Sequence, residues 1–226
     1  MRKKLLLSIG LASFMGTSLF ATMVGSLHDL STNDYGDNDE ICVYCHTPHG
    51  SNIEFDAPLW NKPTTGTSFT MYGATAEGVA GKTIAGTETD PSPSGASLAC
   101  LSCHDGVSAA NTVINAPGSD NYNDNGALIG RNTPKVLRTD PSLAIGLYGD
   151  LTNDHPISIP YVEGAASLKP KDTAITGWNR ATTINDLLRN GKVQCVSCHD
   201  PHSVTNNTFL RHRNTGSELC KTCHDK

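Results

Sequence analysis

One stretch of this chain is a long apolar run. It begins at Leu5, directly after the basic Arg2, Lys3 and Lys4, and ends in small residues near Ala21. A basic head, an apolar middle and a small-residue exit are the layout of a secretory signal peptide, so residues 1–21 are expected to be removed on export, with cleavage between Ala21 and Gly25. Residues 22–226 are read as a single domain. They hold no second run of about 20 apolar residues, the length needed to cross a bilayer, so no membrane span is expected. Secondary-structure signals there are sparse. The clearest is "TTINDLLRNG", where Thr183 can cap a helix, Asp186 lies three residues on, and Gly191 suits a helical stop. Between Asn61 and Ser97 lies a Thr/Ser/Gly/Pro-rich tract that predicts a surface loop. The expected fold is therefore mostly irregular, with short α-helices and little β-sheet.

The cysteines sharpen this picture. All eight fall into four copies of C-x-x-C-H: Cys42, Cys45 and His46; Cys100, Cys103 and His104; Cys195, Cys198 and His199; Cys220, Cys223 and His224. Residues three apart share one face of a helical turn, so both thiols can add to the vinyl groups on one porphyrin edge. The histidine that follows then projects beneath the ring, where an imidazole nitrogen meets iron. Paired C-x-x-C motifs also bind zinc, and cysteines also form disulfides, but neither use explains a histidine after every pair. The reading is four covalently bound c-type haems, each motif on a short helical turn of its own. Covalent haem attachment needs export, in agreement with the signal peptide. No cysteine precedes Cys42, so no lipoprotein anchor is expected.

Composition then acquires a meaning. Only 37% of the residues are apolar, and there are 21 Gly and 12 Pro. That is a thin supply of core residues for this length, and four porphyrins would make up the difference. The haem-free chain is expected to be largely unfolded, because ligand and fold form together. The net charge of −5 becomes more negative once Arg2, Lys3 and Lys4 are removed. Such a chain has no affinity for nucleic acid or anionic lipid.

Nine histidines less the four proximal ones leave His28, His49, His155, His202 and His212 as candidates for the opposite axial position. Methionine, the usual alternative, occurs after the signal peptide only at Met23 and Met71. The count favours bis-histidine irons, with His28, His49, His155 and His202 as the distal ligands. Histidine in place of methionine keeps reduction potentials low. His212, flanked by Arg211 and Arg213, is read as the one without iron. His49 lies three residues from His46, a reach of about 10 Å when fully extended. It cannot travel round the porphyrin edge to the other face of its own iron, and Pro48 stiffens the link. The same holds for His202, beyond His199 and Pro201. Each is therefore expected to serve a different haem, drawing neighbouring macrocycles to within about 4 Å.

"GSLHDLS", "CVYCHTPHG", "CLSCHDG", "DHPISIPY" and "CVSCHDPH" together resemble the doubled C-x-x-C-H multihaem cytochromes. More narrowly, they resemble the four-haem outer-surface cytochromes of the OmcE type, which polymerise into extracellular filaments. That resemblance implies stacked bis-histidine haems and a distal histidine borrowed from the next subunit, supplied here by His49, with His28 as the other candidate donor. It implies a head-to-tail homopolymer, secreted to the cell surface, whose redox partners are other cytochromes or extracellular acceptors. A swapped ligand is a heterologous contact, and without closure it generates an open polymer. Two further readings stand beside this electron conduit. One is a monomeric periplasmic tetrahaem shuttle. The other is a multihaem reductase of small nitrogen compounds, which would need an iron with an open sixth site and is disfavoured by five spare histidines.

Overall fold

The computed structural model describes residues 23–32, 38–118, 122–129, 133–137 and 145–225. The predicted signal peptide lies outside the described residues. Regular structure is scarce, as expected. A ten-residue helix, α1 (Gly95–His104), is followed by an antiparallel pair, β1 (Thr112–Asn115) and β2 (Tyr122–Leu128). A second small sheet pairs β3 (Ile159–Pro160) with β4 (Lys192–Val193), which leads directly into α2 (Cys195–Cys198). The last helix is α3 (Glu218–Cys223). Short 3₁₀ turns and loops connect these elements.

The apolar side chains form small separate groups rather than one core. Leu30, Tyr44, Ala110, Val113 and Ile129 pack together with Cys45 and Cys103 at their edge. Phe69, Met71, Leu101 and Leu151 form a second group against α1. Tyr161, Ile184 and Leu188 form a third, beside Cys223. Each group abuts a haem-motif segment, so burial of apolar surface is centred on the places where a porphyrin would be attached.

Two local expectations need correction. The helix read over 183–191 is only a single turn, Ile184–Leu187, and Leu188 is already extended. The reason is Asn190–Gly191. Both take positive φ, 51° and 73°. Arg189 and Lys192 exchange N–H to carbonyl bonds of 3.0 Å across them. That is a two-residue hairpin turn, whose twist demands extended flanks. Gly191 therefore serves a hairpin rather than a helix stop, while Asp186 does cap the turn, accepting the N–H groups of Thr182 and Thr183.

The tract from Asn61 to Ser97 has no regular structure before α1, but it is not merely surface. Asn61, Lys62, Phe69, Met71 and Thr89 are buried. Lys62 donates from Nζ to the carbonyls of Ala110 and Thr112, and Thr65 and Thr67 donate their hydroxyls to Asp105 at 2.7 and 2.8 Å. A polar composition disguised packing that uses hydroxyl and ammonium groups to satisfy buried acceptors. Met71, the alternative soft ligand, is 1% exposed within its apolar group.

Candidate haem-binding site

Each C-x-x-C-H segment forms a helical turn. The N–H of His46 bonds the carbonyl of Cys42 at 2.8 Å, His199 that of Cys195 at 3.0 Å, and His224 that of Cys220 at 3.0 Å. His104 closes the last turn of α1. The third residue of the motif fixes three of these turns further. Ser102 donates to the carbonyl of Ala99, Thr222 to that of Glu218, and Ser197 accepts the N–H of Gln194.

Three of the four proximal imidazoles are oriented for a metal. Nδ1 of His46 faces the carbonyl of Pro58 at 2.7 Å, and Nδ1 of His199 that of Thr208 at 2.8 Å. His224 faces the carbonyl of Ala166 at 3.4 Å. A carbonyl only accepts, so the proton sits on Nδ1 and Nε2 keeps its lone pair, which is how ligating histidines are commonly braced. Among the five distal candidates, His155, His28 and His212 are held in the same way, by Pro156 at 3.0 Å, Pro201 at 3.5 Å and Arg213 at 2.8 Å, so this brace does not by itself separate ligand from non-ligand.

Two imidazole pairs then face each other across motifs. The rings of His46 and His202 have centroids 6.0 Å apart, and those of His28 and His104 6.1 Å apart. Two metal–imidazole bonds of about 2.0 Å each, plus about 1.1 Å from each nitrogen to its ring centre, span about 6.2 Å. The spacing fits one iron between each pair. Among the described residues no group of three or more His, Cys, Asp or Glu could hold a metal ion on its own. Two imidazoles suffice for iron only when a porphyrin supplies the other four nitrogens, so this donor set fits a haem and not a structural zinc.

The remaining histidines differ. His155 lies within electrostatic range of His224. His49 is exposed, its backbone carbonyl pinned by the Thr47 hydroxyl at 2.9 Å and by the Asn115 side chain. His212 stacks on Trp178 at 5.2 Å, with Nδ1 directed at the carbonyl of Arg213. Among the described residues His199 makes no ring contact with another histidine, while His28 lies within its electrostatic range. Burial, with His104 beside it, pushes His28 down to about 4, so its ring is neutral at pH 7.

The cysteines mark the relation between motifs. Cys45 and Cys103 flank one apolar group. The Cys100 and Cys195 side chains adjoin, and Cys198 lies close to Cys223 and Cys220. The attachment points thus adjoin in chain order, first to second, second to third, third to fourth.

Sequence reading missed the struts between motifs. Trp60 sits edge-on to His46 and donates its indole N–H to Ser102 in the second motif at 3.2 Å. Trp178 donates to Thr222 in the fourth motif at 3.2 Å, while Asn179 binds Asp200 beside the third. The signal was present: the chain has two tryptophans, and each is followed by asparagine. Arg211, only 5% exposed, ties the carbonyls of Asn179 and Val196 together. Asp200 accepts the N–H of His202 at 3.0 Å, which sets the loop that presents that ring.

Across residues 188–226, the segment with the third and fourth motifs, the chain matches the family described as the doubled CXXCH motif. The match supports a multihaem c-type cytochrome. Its C-x-x-C-H motifs indicate covalently bound c-type haem, and electron transfer is the role that such a domain suggests. A search of curated proteins finds no match. Among the described residues, no helix is long and apolar enough to cross a membrane.

Proposed function

We propose that the protein is an exported four-haem electron conduit that assembles head to tail into an extracellular filament. Haem supplies the one-electron couple; the chain supplies axial ligands, spacing and insulation from solvent. The observation that carries the reading is the pairing of imidazoles from different motifs at 6.0 and 6.1 Å. An iron closed on both faces has no room for substrate, which favours a conduit over a reductase. Adjoining attachment points supply short steps between cofactors.

The four irons take His46, His104, His199 and His224 as proximal ligands. His202 closes the first haem, His28 the second and His155 the fourth. His28 stands opposite His104 in its own chain, which favours His49 as the ligand given to a neighbouring copy. Among the described residues neither His199 nor His224 has a histidine ring at that spacing; with His155 given to the fourth haem, the third is the one left to receive His49. A contact of this type, not closed by symmetry, propagates into a filament.

Negative-stain microscopy and size-exclusion chromatography of the haem-loaded protein test this. Filaments from the wild type, and haem-loaded monomers from His49→Ala, are expected. Monomers alone at high concentration would favour the periplasmic shuttle instead.

A further inference from the structure

The joint between the second and third motifs is built from buried polar side chains. Ser97, on α1, is fully buried. Its hydroxyl oxygen accepts the N–H of Cys195 at 2.9 Å, and its O–H donates to Oε1 of Gln194. The same Oε1 accepts the Ser158 hydroxyl at 3.2 Å, and the Ser158 oxygen accepts the N–H of Ser94 at 2.9 Å. Ser158 is fully buried and Gln194 is 3% exposed. Cys100 is three residues after Ser97 on the same helical face, and Cys195 directly follows Gln194. The cluster therefore grips both attachment segments at once, and the Cys100 and Cys195 side chains are left in contact.

An apolar contact would let two short helices slide, since burial is non-directional. A buried network with every member satisfied has one low-energy arrangement. The other two joints use tryptophan struts at their rims; this one passes through the attachment points themselves.

We propose that Ser97 and Gln194 are positioning residues that hold the second and third haems at a fixed separation, and so set the coupling of the central electron-transfer step. The proposal rests on the multihaem reading. Both residues act through the backbone of α1 and α2 and touch neither iron nor reacting atoms.

The test is Ser97→Ala in the full haem-loaded chain, read by the Soret circular-dichroism couplet that neighbouring haems produce. Mass spectrometry and pyridine haemochrome count the haems. The expected result is unchanged haem content, unchanged low-spin absorption and a couplet that loses much of its amplitude. Gln194→Glu keeps the oxygen that accepts from Ser97 and Ser158 and is expected to retain the couplet. Ile184→Val, a truncation in a separate apolar group, lowers stability and leaves the couplet intact. An unchanged couplet in Ser97→Ala overturns the proposal, as does an equal loss in Ile184→Val. Should Ser97→Ala not accumulate, Gln194→Met removes the same acceptor and is read the same way. A wild type without covalent haem would instead defeat the multihaem reading itself.

Discussion

Replacing His202 with alanine separates the cross-motif ligand assignment from every alternative. His202 lies three residues beyond His199, yet its ring is 6.0 Å from that of His46, at an interplanar angle of 19°. Two imidazoles sharing an iron span about 6.2 Å between centroids, by the metal–nitrogen bond length used above. The match leaves no space for a second bridging group. Truncation should therefore open the sixth site of one iron, the first, and leave the others closed. The fold should tolerate the change. The His202 side chain is 49% exposed, so the lost burial costs under about 1 kcal/mol. Its backbone N–H to Asp200 at 3.0 Å survives the substitution. Reduced protein titrated with carbon monoxide is the assay. Wild type should bind almost none; His202→Ala should bind one molecule per chain, about a quarter of the haem if all four motifs are loaded. His212→Ala, whose ring rests on Trp178, should behave as wild type. A His202→Ala protein that stays wholly low-spin and inert to carbon monoxide would refute the assignment. So would a carbon monoxide site that appears in His212→Ala.

Two further predictions concern the scaffold. The N–H groups of Thr182 and Thr183, and then their hydroxyls, hold Asp186 at about 2, below its ordinary 3.8. A depressed carboxyl contributes stability that is fully present above about pH 4 and lost as the pH falls through about 2. A carboxyl titration of Asp186 by NMR should give a midpoint near 2, and a midpoint at the ordinary value would contradict the cap. Gly191→Ala and Gly149→Ala should also differ in denaturant unfolding. An added Cβ at Gly191 meets nothing within 4 Å, so only its positive φ costs, about 1 kcal/mol. At Gly149 the same atom would lie 2.0 Å from the carbonyl oxygen of Ser68, and a clearly larger loss is expected; equal losses would refute the steric argument.

The haem chemistry was legible in the sequence because it is local. A motif of five residues needs one helical turn to place two thiols and an imidazole on a porphyrin, and one turn is within reach of any such segment. The irregular fold was legible too, since a chain rich in Gly, Pro, Ser and Thr has little else to form. The short tether between His199 and His202 excluded their sharing an iron, and that also needed no coordinates.

Contacts between distant segments were not legible in this way. That His202 faces His46 and His28 faces His104 depends on where separate turns are docked, and docking is set by Trp60 on Ser102, Trp178 on Thr222, and Ser97 on Gln194. Each is a directional hydrogen bond between residues more than 40 positions apart. The burial of Lys62 and Met71 inside a polar tract, and the hairpin at Asn190–Gly191 where a helix was read, have the same origin. Composition states what a segment contains; only the tertiary structure decides which neighbour satisfies it.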